Sequence, residues 1–164
     1  MKKLLLMTLV VLSFAACAPK EPEQGAGANV PVIIMPTLSG QNYNFTAAMQ
    51  ERPVVITSMA GYCGYCKALA PLLDKLAGEY KNKNVDFVFA FVDETADGLK
   101  EIVKNLGIQN ATVAYNGGEF AGAAGVDGFP ATFLIYKGEI VEEWGGFSPG
   151  HIDAIRAKLA GLVK

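Results

Sequence analysis

A chain of 164 residues with 51% hydrophobic and 18% charged side chains is long enough to fold as one domain around a substantial core. Sixteen acidic and fourteen basic side chains give a net charge of −2, so the chain lacks the basic surplus that nucleic-acid binding requires. We therefore expect one globular domain and no nucleic-acid partner.

Residues 1–16 carry the features of a secretory signal peptide. A basic start precedes an apolar run over residues 4–14, which is too short to span a bilayer. Small residues stand directly before Cys17, an arrangement that resembles the lipobox of bacterial lipoproteins, in which the signal is removed and the cysteine carries a lipid. We expect lipidation of Cys17; an ordinary signal peptide cut near residue 16 or 18 is the alternative.

Cysteine usage agrees with a lipid anchor. The chain has three cysteines, so an exported protein holds an odd thiol unless one cysteine has another role. Lipidation of Cys17 supplies that role and leaves Cys63 and Cys66 as a pair. The residues after Cys17 are rich in Pro, Gly, Ala and Glu without apolar periodicity, which is typical of a flexible tether. We therefore predict a lipidated tether over residues 17–29 and a folded domain over residues 30–164.

The folded part of the chain opens with three predicted strands. Apolar segments over residues 30–35 and 43–46 flank a turn at Gly40, which predicts a hairpin. Residues 54–59 form a β-branched apolar run of the kind found in a central strand covered on both faces. The cysteine pair follows this strand directly.

A helix is predicted from residue 63 or 64 to about residue 80. Apolar side chains recur there at helical spacing, and polar side chains occupy the other face. The apolar positions are Leu69, Leu72, Leu73, Leu76 and Ala77, and the polar positions are Lys67, Asp74, Lys75 and Glu79. Pro71 is expected to kink this helix, because proline removes a backbone donor and crowds the carbonyl four residues earlier.

Strands and helices alternate through the rest of the chain. We predict strands over residues 85–92, 113–115, 131–136 and 140–144 and helices over residues 97–106, 119–124 and 151–163. Gly107 ends the first of these helices, and a Lys-Gly-Glu turn joins the last two strands. The pattern indicates an α/β fold in which helices flank a mixed central sheet.

Two cysteines separated by two residues at a strand-to-helix junction are typical of thiol–disulfide exchange. Cys63 would lie at the helix N-terminus, where unpaired backbone amides and the helix dipole stabilise a thiolate. Cys66 would lie one turn further in and be less exposed. A thiolate that attacks a substrate disulfide forms a mixed disulfide, which a nearby thiol then resolves. We therefore interpret Cys63 as the nucleophile and Cys66 as the resolving thiol.

Metal binding is the main chemical alternative for this pair. Zinc takes four ligands in structural sites and three plus water in catalytic sites, and copper suits two thiolates with an imidazole. The only histidine, His151, lies far along the chain on the last predicted helix, where capping or solvation is its usual role. We expect neither a metal nor another cofactor.

Two motifs resemble those of the thioredoxin superfamily. Residues 63–74, Cys-Gly-Tyr-Cys-Lys-Ala-Leu-Ala-Pro-Leu-Leu-Asp, resemble its active-site helix, and residues 128–133, Gly-Phe-Pro-Ala-Thr-Phe, match the position of its cis-proline loop. The resemblance implies a thioredoxin-like fold with a redox-active disulfide between Cys63 and Cys66, and a cis bond before Pro130. It also implies a substrate-binding surface that consists of Tyr62, Gly64, Tyr65, Phe129 and Pro130.

The chain is similar to a membrane-tethered extracytoplasmic branch of this superfamily, represented by TlpA, ResA and the cytochrome c maturation thioredoxins. An N-terminal segment at residues 36–43 carries this resemblance, as does an insertion before the cis-proline, where 36 residues separate Asp93 from Pro130. The resemblance implies that protein thiols and disulfides are the partners, that a membrane thiol donor recharges the pair, and that the protein works outside the cytoplasm.

Three positions depart from the family pattern. Thr57 stands where thioredoxin has a buried acid, and Tyr62 stands where it has a tryptophan before the first cysteine. Leu69 stands where some ResA-type reductases have a glutamate. A hydroxyl at residue 57 cannot take a proton from the second cysteine as a carboxylate can, which leaves the proton acceptor open. Asp93 and Glu94 follow a predicted strand and are able to approach the site, although we expect solvated loop acids there.

The residues between the cysteines bear on the direction of exchange. Gly64-Tyr65 differs from the Gly-Pro pair of thioredoxins and resembles the pair in periplasmic disulfide isomerases. Those isomerases carry a separate dimerisation domain, for which this chain has no room, and we expect a monomer. We predict a reductase or exchange enzyme, with apocytochrome haem-binding cysteines among its substrates by family resemblance. The alternatives are an isomerase or oxidase, a peroxidase, and a non-catalytic tethered binding module.

Overall fold

The computed structural model of the protein describes residues 32–163. The predicted signal peptide, Cys17, the tether and the first two residues of the predicted domain lie outside the described residues. The strands are β1 (Ile34–Pro36), β2 (Asn42–Asn44), β3 (Val54–Met59), β4 (Asp86–Phe91), β5 (Thr112–Ala114), β6 (Ala131–Tyr136) and β7 (Glu139–Gly145). The helices are α1 (Phe45–Glu51), α2 (Gly64–Tyr80), α3 (Ala96–Leu106), α4 (Gly118–Ala123) and α5 (His151–Leu162). None of these helices is long and apolar enough to cross a membrane.

The central sheet has the strand order β5-β4-β3-β6-β7. β3, β4 and β5 run parallel to one another, whereas β6 pairs antiparallel with both β3 and β7. All six residues of β3 are buried, which agrees with its β-branched apolar sequence and its place at the middle of the sheet. The mixed sheet predicted from the sequence is confirmed.

Helices cover both faces of this sheet. Alternate side chains of β3 point to opposite sides, so each face of the strand packs against a different set of helices. Val55 and Met59 pack in one cluster with buried residues of α2, α3 and α5. Val54 and Ile56 pack in a second cluster with residues of α1 and α4. The chain that leaves β3 enters α2, and the cysteine pair therefore stands at the carboxyl end of the central strand.

The segment after the N-terminal hairpin differs from the prediction. β1 pairs with β2 as expected, but β2 ends at Asn44 and the chain then forms α1. The Asn44 side chain accepts a hydrogen bond from the backbone N–H of Ala47 at 2.9 Å, which caps the helix. Phe45, Ala48 and Met49 form its buried face. Seven residues are too few for this hydrophobic periodicity to stand out in the sequence.

Two side chains of α2 lie opposite to their predicted faces. The helix is continuous through Pro71, and most of its apolar side chains are buried as expected. Asp74, however, is only 5% exposed, and Leu72 is 41% exposed. Asp74 is buried because backbone N–H groups of the segment at residues 109–111 bond its carboxylate. Helical spacing alone does not reveal this contact with a loop that is distant in sequence.

Candidate active site

The junction between β3 and α2 presents the two cysteines. The backbone N–H of Cys63 donates to the carbonyl oxygen of Ala60 at 3.1 Å, and this turn delivers Cys63 to the N-cap position of α2. The backbone N–H of Cys66 points at the Cys63 sulfur, 3.1 Å away. The two sulfur atoms are paired as a disulfide. The first cysteine therefore occupies the helix terminus whose amides favour a thiolate.

The two sulfurs differ in their surroundings. Cys63 is half-buried, whereas Cys66 is 2% exposed. In the dithiol form, burial is the largest of the effects that raise the pKa of Cys66 to about 12, and a hydrogen bond with Cys63 and the charge of Cys63 add to it. The backbone of Ala60 acts in the opposite direction. Cys66 is thus held as a thiol while Cys63 remains accessible.

The loop before β6 approaches the same sulfur. The Phe129–Pro130 peptide bond is cis, as the family resemblance implied, and the carbonyl oxygen of Phe129 lies 3.6 Å from the Cys63 sulfur. The carbonyl oxygen of Pro130 accepts a hydrogen bond from the N–H of Gly146 at 2.7 Å. Within residues 32–163, the N–H of Phe129 forms no hydrogen bond. One backbone donor is therefore free beside the reactive cysteine.

Aromatic side chains are exposed on the two sides of Cys63 along the chain. Tyr62 is 74% exposed and Tyr65 is 67% exposed, although large aromatic side chains usually gain stability by burial. Gly64 lies between the cysteines with open space around its Cα. The surface next to Cys63 is therefore open and uncharged at these three residues.

No carboxylate stands where thioredoxin has its buried acid. Thr57 is 1% exposed, and its hydroxyl oxygen forms a hydrogen bond of 3.1 Å with the hydroxyl of Thr132. Leu69 is fully buried in the core. Both positions are thus occupied by groups that do not accept a proton at neutral pH.

The two loop acids contact the chain that leads to Cys63. Asp93 is exposed, as the sequence favoured, whereas Glu94 is half-buried. The Asp93 carboxylate accepts a hydrogen bond from the N–H of Gly61 at 2.9 Å. The Glu94 carboxylate packs against the Cα of Gly61 so closely that a Cβ at residue 61 would overlap it. The sequence signal was their position after a strand, but only the pairing of β3 with β4 brings them to this loop.

The structure does not assemble a metal centre from the predicted alternatives. His151 begins α5, and its Nδ1 is buried without a hydrogen-bond partner among the described residues. Within residues 32–163, no group of three or more His, Cys, Asp and Glu side chains is arranged to hold a metal ion. The cysteine pair and His151 therefore do not form a set of three ligands.

Known proteins resemble large parts of this chain. The family model described as Redoxin matches residues 25–149. Thiol-disulfide oxidoreductase ResA of Bacillus thuringiensis subsp. konkukian is 26% identical over 125 residues, which are 76% of this chain and 72% of that protein. Protein disulfide-isomerase of Drosophila melanogaster is 40% identical over 65 residues, and these span only 40% of this chain and 13% of that protein.

A solved structure shares the fold. The protein described as thiol:disulfide interchange protein DsbE from Chlorobium tepidum superposes with a TM-score of 0.70 at 22% identity, over 80% of this chain and 92% of that chain. At this level of identity the similarity concerns the fold. The thioredoxin-like arrangement expected from the sequence, with its five-stranded mixed sheet and N-terminal hairpin, is confirmed.

Proposed function

Because this chain belongs to the Redoxin family and is a thioredoxin-like thiol–disulfide oxidoreductase, we propose that it reduces protein disulfides outside the cytoplasm. The observation that carries the proposal is the pairing of a half-buried Cys63 at the N-terminus of α2 with a buried Cys66 one turn further in. In such a pair, one thiolate attacks the substrate, and the second thiol resolves the mixed disulfide afterwards.

The proposed location follows from the N-terminal sequence. The signal-peptide pattern of residues 1–16, the lipobox-like residues before Cys17 and the polar segment to residue 29 support a domain that is tethered to a membrane by a lipid on Cys17. A flexible tether leaves the domain free to reorient toward partners. A membrane thiol donor then recharges the pair after each turnover.

The proposed reaction has two exchange steps. The Cys63 thiolate attacks one sulfur of a substrate disulfide, a bond forms between Cys63 and the substrate, and the other substrate sulfur leaves as a thiolate. Cys66 then loses its proton and attacks the Cys63 sulfur, so that the Cys63–Cys66 disulfide forms and the substrate leaves as a dithiol. The substrate gains the two electrons that the cysteine pair loses.

The surroundings of Cys66 give these steps an order. In the free dithiol, the hydrogen bond and charge of Cys63 add to burial in raising the pKa of Cys66. Once Cys63 is bound to a substrate, it carries no charge, while the opposing effect of the Ala60 backbone persists. Cys66 therefore ionises more readily after substrate capture than before it.

We assign substrate binding to the surface of Tyr62, Gly64, Tyr65, Phe129 and Pro130. The free N–H of Phe129 and its carbonyl near Cys63 favour an extended peptide that pairs with the backbone of this loop. Such pairing accepts many sequences, because backbone groups are common to all of them. By family resemblance, the haem-binding cysteines of apocytochromes are among the proposed substrates.

Changing both Tyr62 and Tyr65 to Ala is expected to lower kcat/KM for insulin reduction by about five- to thirtyfold, because removing roughly 20 to 40 Å² of each ring from water is worth about 0.5 to 1 kcal/mol. Reduction of oxidised glutathione, which is too small to cover both rings, should keep the wild-type rate. Leu72→Ala is the matched control, since Leu72 is exposed further along α2. Equal losses with both substrates would contradict a role in protein binding.

The direction of exchange is tested by the reduction potential of the purified protein. A reductase should have a potential of about −270 mV, as thioredoxin does, whereas a potential of about −120 mV would indicate an oxidase. A value of about −180 mV, as for protein disulfide isomerase, would favour the isomerase that the Gly64-Tyr65 pair resembles. Trapping the thiols in living cells should find the pair reduced if the proposal is correct.

A tethered binding module is the proposal's rival from another class. In that case the protein presents the Phe129–Pro130 loop to a partner while the disulfide remains closed, and the cysteines carry out no exchange. Replacing both Cys63 and Cys66 by Ser distinguishes the two, because an enzyme loses its cellular function and a binding module retains it.

A further inference from the structure

The two acids after β4 emerge beside the loop that carries Cys63. β3 and β4 are parallel and in register, with Met59 opposite Phe91, and the N–H of Val92 donates to the carbonyl oxygen of Met59 at 3.0 Å. The chains that leave the two strands therefore run side by side. We refer to residues 60–63 as the active-site loop.

Glu94 occupies a slot between this loop and the first turn of α3. A Cβ built on Gly61 would overlap the Glu94 carboxylate, and one built on Gly98 would lie 2.6 Å from Glu94 Oε2. Both positions have space for this carboxylate only because they are glycine. Asp93 adds a hydrogen bond from the N–H of Gly61, so that two consecutive acids hold the same residue of the active-site loop.

The negative charge in this slot has no cationic partner. Glu94 is half-buried, and in the described part of the chain neither Asp93 nor Glu94 forms a salt bridge with a lysine or arginine. Gly61 stands two residues before Cys63 in the sequence. A carboxylate without a cationic partner is therefore fixed against the loop that carries Cys63.

We propose that Glu94, supported by Asp93, is a positioning residue that holds a negative charge at the active-site loop and thereby lowers the reduction potential of the Cys63–Cys66 pair. The disulfide form is neutral and does not respond to this charge. The reduced form carries the Cys63 thiolate, which a nearby carboxylate disfavours. The dithiol is therefore a stronger electron donor. Glu94 supplies the negative charge in a chain that has Thr57 and Leu69, not acids, at the two positions where the family comparison places them.

The test is the isosteric change Glu94→Gln, which keeps the side-chain volume and removes the charge. We expect the equilibrium with glutathione to shift three- to tenfold toward the dithiol, which corresponds to a rise of about 14 to 30 mV for a two-electron couple. Iodoacetamide should also alkylate Cys63 faster at a fixed, mildly acidic pH. Glu119→Gln, an exposed change on the helix α4 at the opposite face of the sheet, should leave both values unchanged.

Salt separates the effect of charge from a change of shape. At about 1 M salt the screening length falls to roughly 3 Å from about 10 Å at 0.1 M, so the difference between wild type and Glu94→Gln should shrink. An unchanged potential in Glu94→Gln would overturn the proposal, and so would a shift that is equally large at high salt or equally large in Glu119→Gln.

A double-mutant cycle tests the contact itself. Gly61→Ala should lower the denaturation midpoint of the wild type, because the new methyl group displaces the Glu94 carboxylate. In the Glu94→Ala background the same change should cost much less, since all three nearest neighbours of a Cβ at residue 61 belong to Glu94. Additive effects of the two changes would contradict the contact.

This inference rests on the proposed exchange chemistry, but its failure is distinguishable from the failure of the reductase assignment. A high potential in the wild type would reject the reductase direction and leave the difference between wild type and Glu94→Gln intact. A low potential that Glu94→Gln does not alter would retain the reductase and reject the role of Glu94.

Discussion

Replacing Cys63 by Ser is expected to reduce disulfide exchange by about 10⁴-fold or more, the scale of loss that follows removal of the nucleophile in other covalent mechanisms. A serine hydroxyl at the N-cap of α2 can still cap the helix, so the fold should persist. It does not ionise near neutral pH, however, and therefore cannot replace the thiolate that attacks the substrate. Insulin reduction and the thermal midpoint of the same preparation measure the two expectations.

The companion change Cys66→Ser should give a different outcome. The attack by Cys63 remains possible, but the buried resolving thiol is lost, so mixed disulfides with substrates should accumulate on non-reducing gels. In the reduced wild type, iodoacetamide at neutral pH should label Cys63 and spare Cys66, because burial raises the pKa of Cys66 to about 12. Peptide mapping locates the label. A Cys66→Ser protein that turns over like the wild type would contradict the assigned roles.

The parts of the fold that the sequence predicted are those governed by local patterns. β3 is an uninterrupted β-branched run, α2 has helical spacing, and the hairpin of β6 and β7 has a Lys137-Gly138 turn in which both residues have positive φ. The cysteine spacing identified the redox pair because a helix terminus and one turn of helix suffice to differentiate two thiols. The cis bond before Pro130 followed from resemblance alone.

The parts that the sequence did not predict depend on contacts between distant segments. Asp74 has helical spacing typical of a solvated face, yet a loop 35 to 37 residues further along the chain covers it. Glu94 contacts Gly61 only because β3 and β4 are in register. Hydrophobic periodicity carries no information about such contacts. The helix α1 is an exception, because it was missed for a local reason: Asn44 is both the last residue of a strand and the N-cap of a helix.

Asp74 provides the second large effect, which concerns stability. Its carboxylate accepts four hydrogen bonds from the segment that connects α3 to β5, and three of the donors are backbone N–H groups. The distances are 3.1 Å from Gln109 N, 2.8 Å from Asn110 N, 3.0 Å from Asn110 Nδ2 and 2.8 Å from Ala111 N. One buried side chain thus satisfies the backbone of a whole turn and holds it against the helix that carries the cysteines.

Asp74→Ala should lower the free energy of unfolding by about 3 to 5 kcal/mol, because it leaves several buried donors without an acceptor. Asp74→Asn should lower the free energy of unfolding by less, because its amide oxygen still accepts hydrogen bonds. Some loss remains, because its NH₂ group faces N–H donors. Denaturant unfolding of the oxidised protein measures both changes. The control Asp97→Asn removes an exposed charge and its ion pair with Lys100 on α3 and should shift the midpoint far less, because exposed ion pairs add little to stability. The cysteines lie more than two helical turns from Asp74, so the Asp74→Ala protein that remains folded should exchange disulfides at nearly the wild-type rate. A loss below about 1 kcal/mol, the net value of a single ordinary hydrogen bond, would show that water replaces the carboxylate and that the loop is held by its apolar contacts instead.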